Sequence, residues 1–320
     1  MTDSAVLFII FNRPSTTQKV FTAIAEAKPS RLYIAADAPR IGNHEDIRKC
    51  EQARLVTERI DWPCSVKRLY QKQNLGCSLG PQTAFNWFFQ EEKEGIILED
   101  DCVPQNDFFL FASEMLELYR ENKKILSING SNLGYELKDG KSYTFSRFMN
   151  MWGWATWADR ATKIDYSLNS WKYEKHPIKF LHKRLRQHWF DLDINWYKYW
   201  ANKFDLTINN DKKTWWDWQW IYYQIRNKKY SIVPAVNLVS NIGFNEHATH
   251  TKDYNNPSAN IKSCRMNFPL IHPKNIKIDL GYEENYVKWA WCYYKRLPLL
   301  FYIKNGVKKL LTSYYSNLKK

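Results

Sequence analysis

One stretch limits what this chain can become: Gly95-Ile96-Ile97-Leu98-Glu99-Asp100-Asp101-Cys102-Val103-Pro104. A short apolar run stops at three consecutive carboxylates. The run reads as a buried strand, parallel and covered on both faces. Three adjacent acids cannot share its core, because an unpaired buried charge costs several kcal/mol. They therefore stand at the strand's carboxyl end, where the chain leaves the sheet. They repel one another there unless a cation or a donor-rich ligand joins them. Hard divalent ions such as Mg²⁺ or Mn²⁺ take oxygen ligands and bridge carboxylates to phosphates. A solvated acidic turn before Pro104 is the plainer alternative, and the neighbouring segments have to decide.

Those neighbours alternate. Val6–Phe11 is apolar throughout and reads as a strand, followed by Asn12-Arg13-Pro14-Ser15, where Ser15 or Thr16 is expected to cap a helix running to about Ala27. Arg31–Ala36 is a second strand ending at Asp37, 45–60 a polar helix, and Ser65–Tyr70 a third strand. Leu79–Glu92 is helical, with Phe85, Phe88 and Phe89 to one side; the acid-tipped strand comes next, then a helix over Phe108–Glu121 and a strand over Ile125–Ile128. This alternation predicts an α/β fold: a mostly parallel, Rossmann-like sheet flanked by helices. Ligands of such sheets bind beyond the carboxyl ends of the strands. Arg13, Asp37 and Glu99–Asp101 each follow a separate strand, so they are expected to converge on one rim. There is no G-x-G-x-x-G after the first strand and no G-x-x-x-x-G-K-[ST] anywhere, which leaves a dinucleotide cofactor and a P-loop without support.

At 320 residues, 44% of them hydrophobic, the chain can bury one large α/β domain with an appendage, or two domains. Lys and Arg number 47 against 33 Asp and Glu, a formal net charge of +14, which suits an acidic partner. Cys50, Cys64, Cys77, Cys102, Cys264 and Cys292 show no C-x-x-C spacing and read as reduced thiols of a cytoplasmic protein. The first apolar run is too short for a signal peptide's core, and no segment approaches the roughly 20 apolar residues of a membrane span.

The ordered motifs resemble those of GT-A fold glycosyltransferases, and within them the N-acetylglucosaminyltransferase I family. Glu99-Asp100-Asp101 with Val103-Pro104 and Asp107-Phe108-Phe109 is similar to that family's metal-and-nucleotide stretch. Asn12-Arg13-Pro14-Ser15 resembles its first-strand turn and Ala36-Asp37-Ala38 its base-reading turn. Trp152-Gly153-Trp154, Thr214-Trp215-Trp216-Asp217-Trp218 and Ser240-Asn241-Ile242-Gly243-Phe244 follow in the family's order. The likeness runs over roughly residues 5–255. It implies that Asp101 holds Mn²⁺ or Mg²⁺ on a nucleotide diphosphate, that Asp100 meets the ribose and Glu99 the donor sugar, and that Arg13 and Asp37 line the nucleotide pocket. It further implies Asp217 as general base and Thr249 or His250 in a loop over the diphosphate. Asn12 stands where the family has an acid, so sugar identity does not carry over.

The residues agree with such chemistry. Asp217 lies among Trp215, Trp216, Trp218 and Trp220, where partial desolvation makes a carboxylate a better proton acceptor. Direct attack by a deprotonated acceptor hydroxyl inverts the anomeric centre. The plainer reading of Asp217 is an acid complementing a helix dipole. Trp152 and Trp154 flank a glycine and are candidate sugar platforms, while most of the 15 tryptophans are expected in packing. His247 and His250 fall in a polar loop.

The expected organisation is a catalytic domain over 1–258, carrying a helical insertion over 160–213 on the acceptor side, and a C-terminal extension over 259–320. After Glu284 there is no acid but eight basic residues, from Lys288 to Lys320, interleaved with aromatics and leucines. Such a tail suits the surface of an anionic membrane, which would place a cytoplasmic protein peripherally on the inner face, near a glycan or lipid-linked acceptor. Two other readings compete. A sugar nucleotidyltransferase would want a Gly-rich basic loop after the first strand, where Phe11-Asn12-Arg13-Pro14 stands. A basic-aromatic nucleic-acid binder leaves three acids at the rim unexplained, and no nucleic acid is expected.

Overall fold

A computed structural model describes residues 4–174, 194–209, 215–244, 259 and 261–287, the side chains of 174 and 194–198 excepted. The strands read from apolar runs are present: β1 (Ala5–Ile10), β2 (Arg31–Ala36), β3 (Ser65–Tyr70), β4 (Glu94–Glu99) and β6 (Ile125–Asn129). Between them run α1 (Pro14–Ala27), α2 (His44–Val56), α3 (Gly76–Glu91), the short strand β5 (Cys102–Pro104) and α4 (Asn106–Leu118). The second half adds β7 (Tyr143–Ser146), β8 (Trp154–Trp157), α5 (Ala158–Ala161), α6 (Asn169–Glu174), α7 (Ile194–Asn209), α8 (Asp217–Arg226), β9 (Tyr230–Pro234), β10 (Val239–Asn241) and α9 (Leu280–Asn285).

The main sheet has eight strands in the order β3-β2-β1-β4-β8-β6-β9-β7. Strands β3, β2, β1 and β4 are parallel neighbours, β6 and β9 continue in the same sense, and β8 and β7 run against them. This is the mostly parallel, helix-flanked sheet that the alternation predicted. Register explains the burial. Along β1, Val6, Phe8 and Ile10 face a layer containing Val20, Phe21 and Ile24 of α1 and Phe108, Phe111 and Met115 of α4. Ala5 and Leu7 face the other layer, with Phe85, Phe88 and Phe89 of α3 and Trp218, Trp220 and Ile221 of α8. A strand buried on both faces has no polar side, so it reads as a continuous apolar run.

Two details depart from the sequence-based expectation. Helix α1 is entered at Arg13 with Pro14 in its first turn, and no side chain caps it. The Thr16 and Thr17 hydroxyls instead donate back to the Arg13 carbonyl, at 3.1 and 2.8 Å. Trp154, expected as a sugar platform, is fully buried in β8. Its ring meets Phe85, Trp216 and Trp220, with centroids 5.7, 6.0 and 4.8 Å away, so it packs the core and presents no face to a sugar. The described part of the expected C-terminal extension, 261–287, packs into the same core. Tyr282, Tyr286 and Val287 join the α3 and α8 layer, and the Cys264 N–H donates to the Asn237 carbonyl at 2.7 Å.

One ion pair fixes that returning segment. Glu283 on α9 is fully buried and meets the Arg147 guanidinium at 2.5 Å, while also accepting from the Arg147 N–H at 2.7 Å. Deleting one partner of a buried pair leaves an uncompensated charge, at a cost of about 3–5 kcal/mol. Glu283→Ala is therefore expected to lower unfolding free energy by about that amount, read as a fall in the urea midpoint. A midpoint shift smaller than that of a surface Glu→Ala control would contradict this.

Candidate functional site

The sheet reverses direction of growth between β1 and β4: the chain goes from β1 to β2 on one side and returns to β4 on the other. The crevice beyond the carboxyl ends of such a pair is where open α/β sheets take ligands. Arg13 follows β1, and Asp100 and Asp101 follow β4. The strands pair in register from Ala5 with Gly95 to Ile9 with Glu99, which brings these residues face to face. The Arg13 guanidinium lies 2.5 Å from Asp100 Oδ1 and 2.8 Å from Asp101 Oδ2.

The three acids differ in surroundings. Asp100 is 3% exposed, and its second oxygen accepts from the Phe11 N–H at 3.3 Å. Burial pushes its carboxyl up to about 6, although Arg13 opposes the rise. It turns inward as the interior anchor of Arg13, and the ribose contact implied for it does not fit so enclosed a carboxylate. Asp101 is 15% exposed and lies toward the cleft. The Ile242 N–H donates to the Asp101 carbonyl at 2.8 Å, because β10 pairs antiparallel with β5 and carries the chain across the acids. A Cβ at Gly243 would fall 2.1 Å from Asp101 Oδ2. Only a residue without a side chain lets the backbone come this close.

Glu99 is half-buried. Burial pushes its carboxyl up to about 8; the charges of Asp101 and Asp100 add to the rise, Arg13 opposes it, and Asp217 adds a smaller push. Asp217 thus lies within electrostatic reach of the acid cluster. It sits half-buried in the first turn of α8, and its chain neighbours Trp215 and Trp218 stack with ring centroids 4.1 Å apart. Burial disfavours the charge on Arg13, but Asp100 and Asp101 outweigh it and hold the guanidinium above its usual range.

Asp37 reaches the same rim but is occupied by the protein. Its carboxylate accepts from the N–H groups of Ala38 (2.8 Å), Leu75 (2.9 Å) and Gly76 (2.8 Å) and from Asn74 Nδ2 (3.1 Å). A carboxylate has about four acceptor positions, so Asp37 ties the β2–α2 turn to the start of α3 and has none left over for a nucleobase. Gly76, at φ 74°, makes that turn. Sequence reasoning missed its neighbour, Asp46. The carboxylate of Asp46 accepts from Asn12 Nδ2 at 2.7 Å and pairs with Arg40, which holds it down at about 2. Arg40 lies 5.8 Å from the Phe11 ring centroid. The available signal was Asn43, whose side chain accepts from the Asp46 N–H and caps α2. Thr249, His250 and His247 lie outside the described residues.

A divalent ion fits part of this arrangement. The donors are hard oxygens, and the acids outnumber the one guanidinium beside them. Among the described residues no three His, Cys, Asp or Glu side chains form a metal-holding group. Asp101 would therefore be joined by oxygens of a bound ligand or water. Also among the described residues, no helix is long and apolar enough to cross a membrane.

No family model matches the sequence, and a search of curated proteins found no match. Among solved structures, UDP-glucose pyrophosphorylase complexed with UDP-glucose is similar over 45% of this chain, at 13% identity and a TM-score of 0.25; the match spans 62% of that protein. Mouse xyloside xylosyltransferase 1, in its apo form, is similar over 70% of this chain and 82% of its own, at 11% identity and a TM-score of 0.35.

The raised carboxyls have a consequence for stability. A carboxyl whose pKa is higher in the folded than in the unfolded chain binds more protons when folded, so its contribution to stability is present below the unfolded value and is lost as pH rises. For Glu99 and Asp100 that loss runs from the ordinary carboxylate range up to about 8. Urea midpoints are expected to fall across this window, and Glu99→Gln is expected to flatten the slope. An unchanged slope in the variant would refute the assignment.

Proposed function

We propose that this chain is a metal-dependent, inverting glycosyltransferase that moves a sugar from a nucleotide-diphosphate donor, a UDP-sugar, to a glycan or lipid-linked acceptor. The observation that carries the reading is the meeting of Arg13 with Asp100 and Asp101 across the β1–β4 switch point, with Asp217 in electrostatic reach. The motif resemblance over residues 5–255 supplies the reaction type. A sugar nucleotidyltransferase gains no support, since the β1–α1 turn is Asn12-Arg13-Pro14 and has no glycine-rich loop.

Each residue then has a task that its surroundings suit. Arg13 presents a planar, two-pronged cation to the diphosphate. Asp101, the exposed member of the pair, would hold Mn²⁺ or Mg²⁺, whose chemistry when bound is to neutralise charge on the departing diphosphate. Glu99 lies beside the donor sugar. Asp217 takes the proton of the acceptor hydroxyl from its place in the first turn of α8. Trp152, half-buried against Phe244 at 5.6 Å, replaces Trp154 as the candidate aromatic platform.

Stabilisation of the folded chain by UDP with Mn²⁺, seen as a thermal shift and absent with single-stranded DNA, is the expected first result. Turnover of a nucleotide-sugar panel then identifies the donor. Asp217→Asn should keep nucleotide binding and lose transfer by about 10²–10⁴-fold, the usual worth of a general base. Transfer at the parent rate would remove Asp217 from the reaction.

The basic, aromatic stretch over 288–320 lies outside the described residues. Its composition supports docking on an anionic membrane, where a lipid-linked acceptor resides. Flotation with phosphatidylglycerol vesicles should capture the full chain and not a chain ending at Val287. Equal capture of both would reject the docking.

A further inference from the structure

Arg13 occupies the place of a cation between two carboxylates. We infer that it is the resident counter-ion of the acid cluster and that it changes partners, leaving Asp101 for the diphosphate when a divalent ion arrives with the nucleotide, so that ion and nucleotide bind as a coupled pair. The inference rests on the nucleotide-sugar reading above and adds to it a specific role for this arginine.

The two contacts of Arg13 are unequal. Asp100 is 3% exposed and engages both oxygens, one with Arg13 and one with the Phe11 N–H. Asp101 is 15% exposed, and the Arg13 side chain is 29% exposed. The guanidinium can therefore turn toward the cleft while Asp100 continues to hold it. Its backbone does not need to move: the Arg13 carbonyl accepts from the Thr17 N–H at 2.9 Å and from the Thr16 and Thr17 hydroxyls. The exchange is confined to one side chain.

Charge makes the exchange conditional. A bare divalent ion reaching Asp101 has to displace a guanidinium and then stand beside it, so two cations compete for one carboxylate. An ion that arrives with a diphosphate brings its own anion, and the released arginine finds a planar, bidentate acceptor there. Binding of ion alone is penalised and binding of the pair is not. By linkage, the factor by which nucleotide tightens the ion equals the factor by which the ion tightens nucleotide. A lysine brings a compact ammonium and no planar fork, so it would hold Asp100 and Asp101 together less firmly and leave Asp101 easier for a bare ion to reach.

Mn²⁺ titrations of the full chain, followed by the electron-spin signal of the free ion at mildly alkaline pH, test this with and without UDP. In the parent, UDP is expected to tighten Mn²⁺ by about tenfold or more, within the usual range of coupling. In Arg13→Gln, bare Mn²⁺ should bind about tenfold tighter than in the parent, and the UDP factor should fall toward one. Arg13→Lys should lie between them, and it carries the test should Arg13→Gln fail to fold. Parental affinity for bare Mn²⁺ together with a parental UDP factor in the folded variant overturns the exchange and leaves the nucleotide-sugar reading standing. A parent chain that binds neither Mn²⁺ with UDP nor UDP alone overturns that reading, and the exchange with it.

Discussion

One guanidinium between two carboxylates holds the working end of this sheet together. Asp100 is almost wholly enclosed, and a carboxylate there without a partner would carry the penalty of an uncompensated buried charge. Arg13 removes that penalty, but only because β1 and β4 are parallel neighbours in register, so that the turn after one strand meets the turn after the other. The pair is therefore a consequence of the sheet order and also a condition for it. A strand tipped with Glu99-Asp100-Asp101 could not lie in the centre of an apolar sheet if the neighbouring turn did not bring a cation. The same interaction leaves Asp101 at the edge of the cleft, beside a backbone segment that passes over it at Gly243.

The parts of the fold legible in the sequence were those whose cause is local. Strand β1 is apolar throughout, and β2 and β4 are apolar between their charged ends, because both faces are buried, and a run of that kind is visible without knowing its neighbours. What was hidden depends on distant partners. Strands β7 and β8 have four residues each, too few to show a period. Nothing local in Trp154 distinguishes a platform for sugar from a wedge between Phe85 and Trp220; its burial follows from β8 lying between β4 and β6. The return of 261–287 onto the core depends on Glu283 finding Arg147, 136 positions earlier in the chain.

At the site the same distinction holds. That Arg13, Asp37 and Glu99–Asp101 share a rim follows from their places after parallel strands. Their division of labour does not. Asp37 looks like a ligand-reading acid until the donors from Ala38, Asn74, Leu75 and Gly76 are counted against its capacity. Asp100 and Asp101 are identical and adjacent, yet successive residues leaving a strand point to different sides, so one is enclosed and the other reaches the cleft. Residue type gave the chemistry available at the rim, and packing assigned it.

The proposed reaction needs one carboxylate that stays charged near others that repel it, and the surroundings of Glu99 and Asp217 supply the asymmetry. Glu99 stands where burial and two neighbouring acids favour its neutral form, up to about 8. Asp217 stands in the first turn of α8, where the positive end of the helix favours a negative group. When Glu99 holds a proton, the repulsion between it and Asp217 is removed. In the proposed reaction the two acids would take contrasting parts, one donating a hydrogen bond toward the sugar and the other accepting the proton of the incoming hydroxyl. The helix-dipole reading of Asp217 and its proposed part as a base are thus compatible, because a helix N-terminus favours the charged form that a base needs.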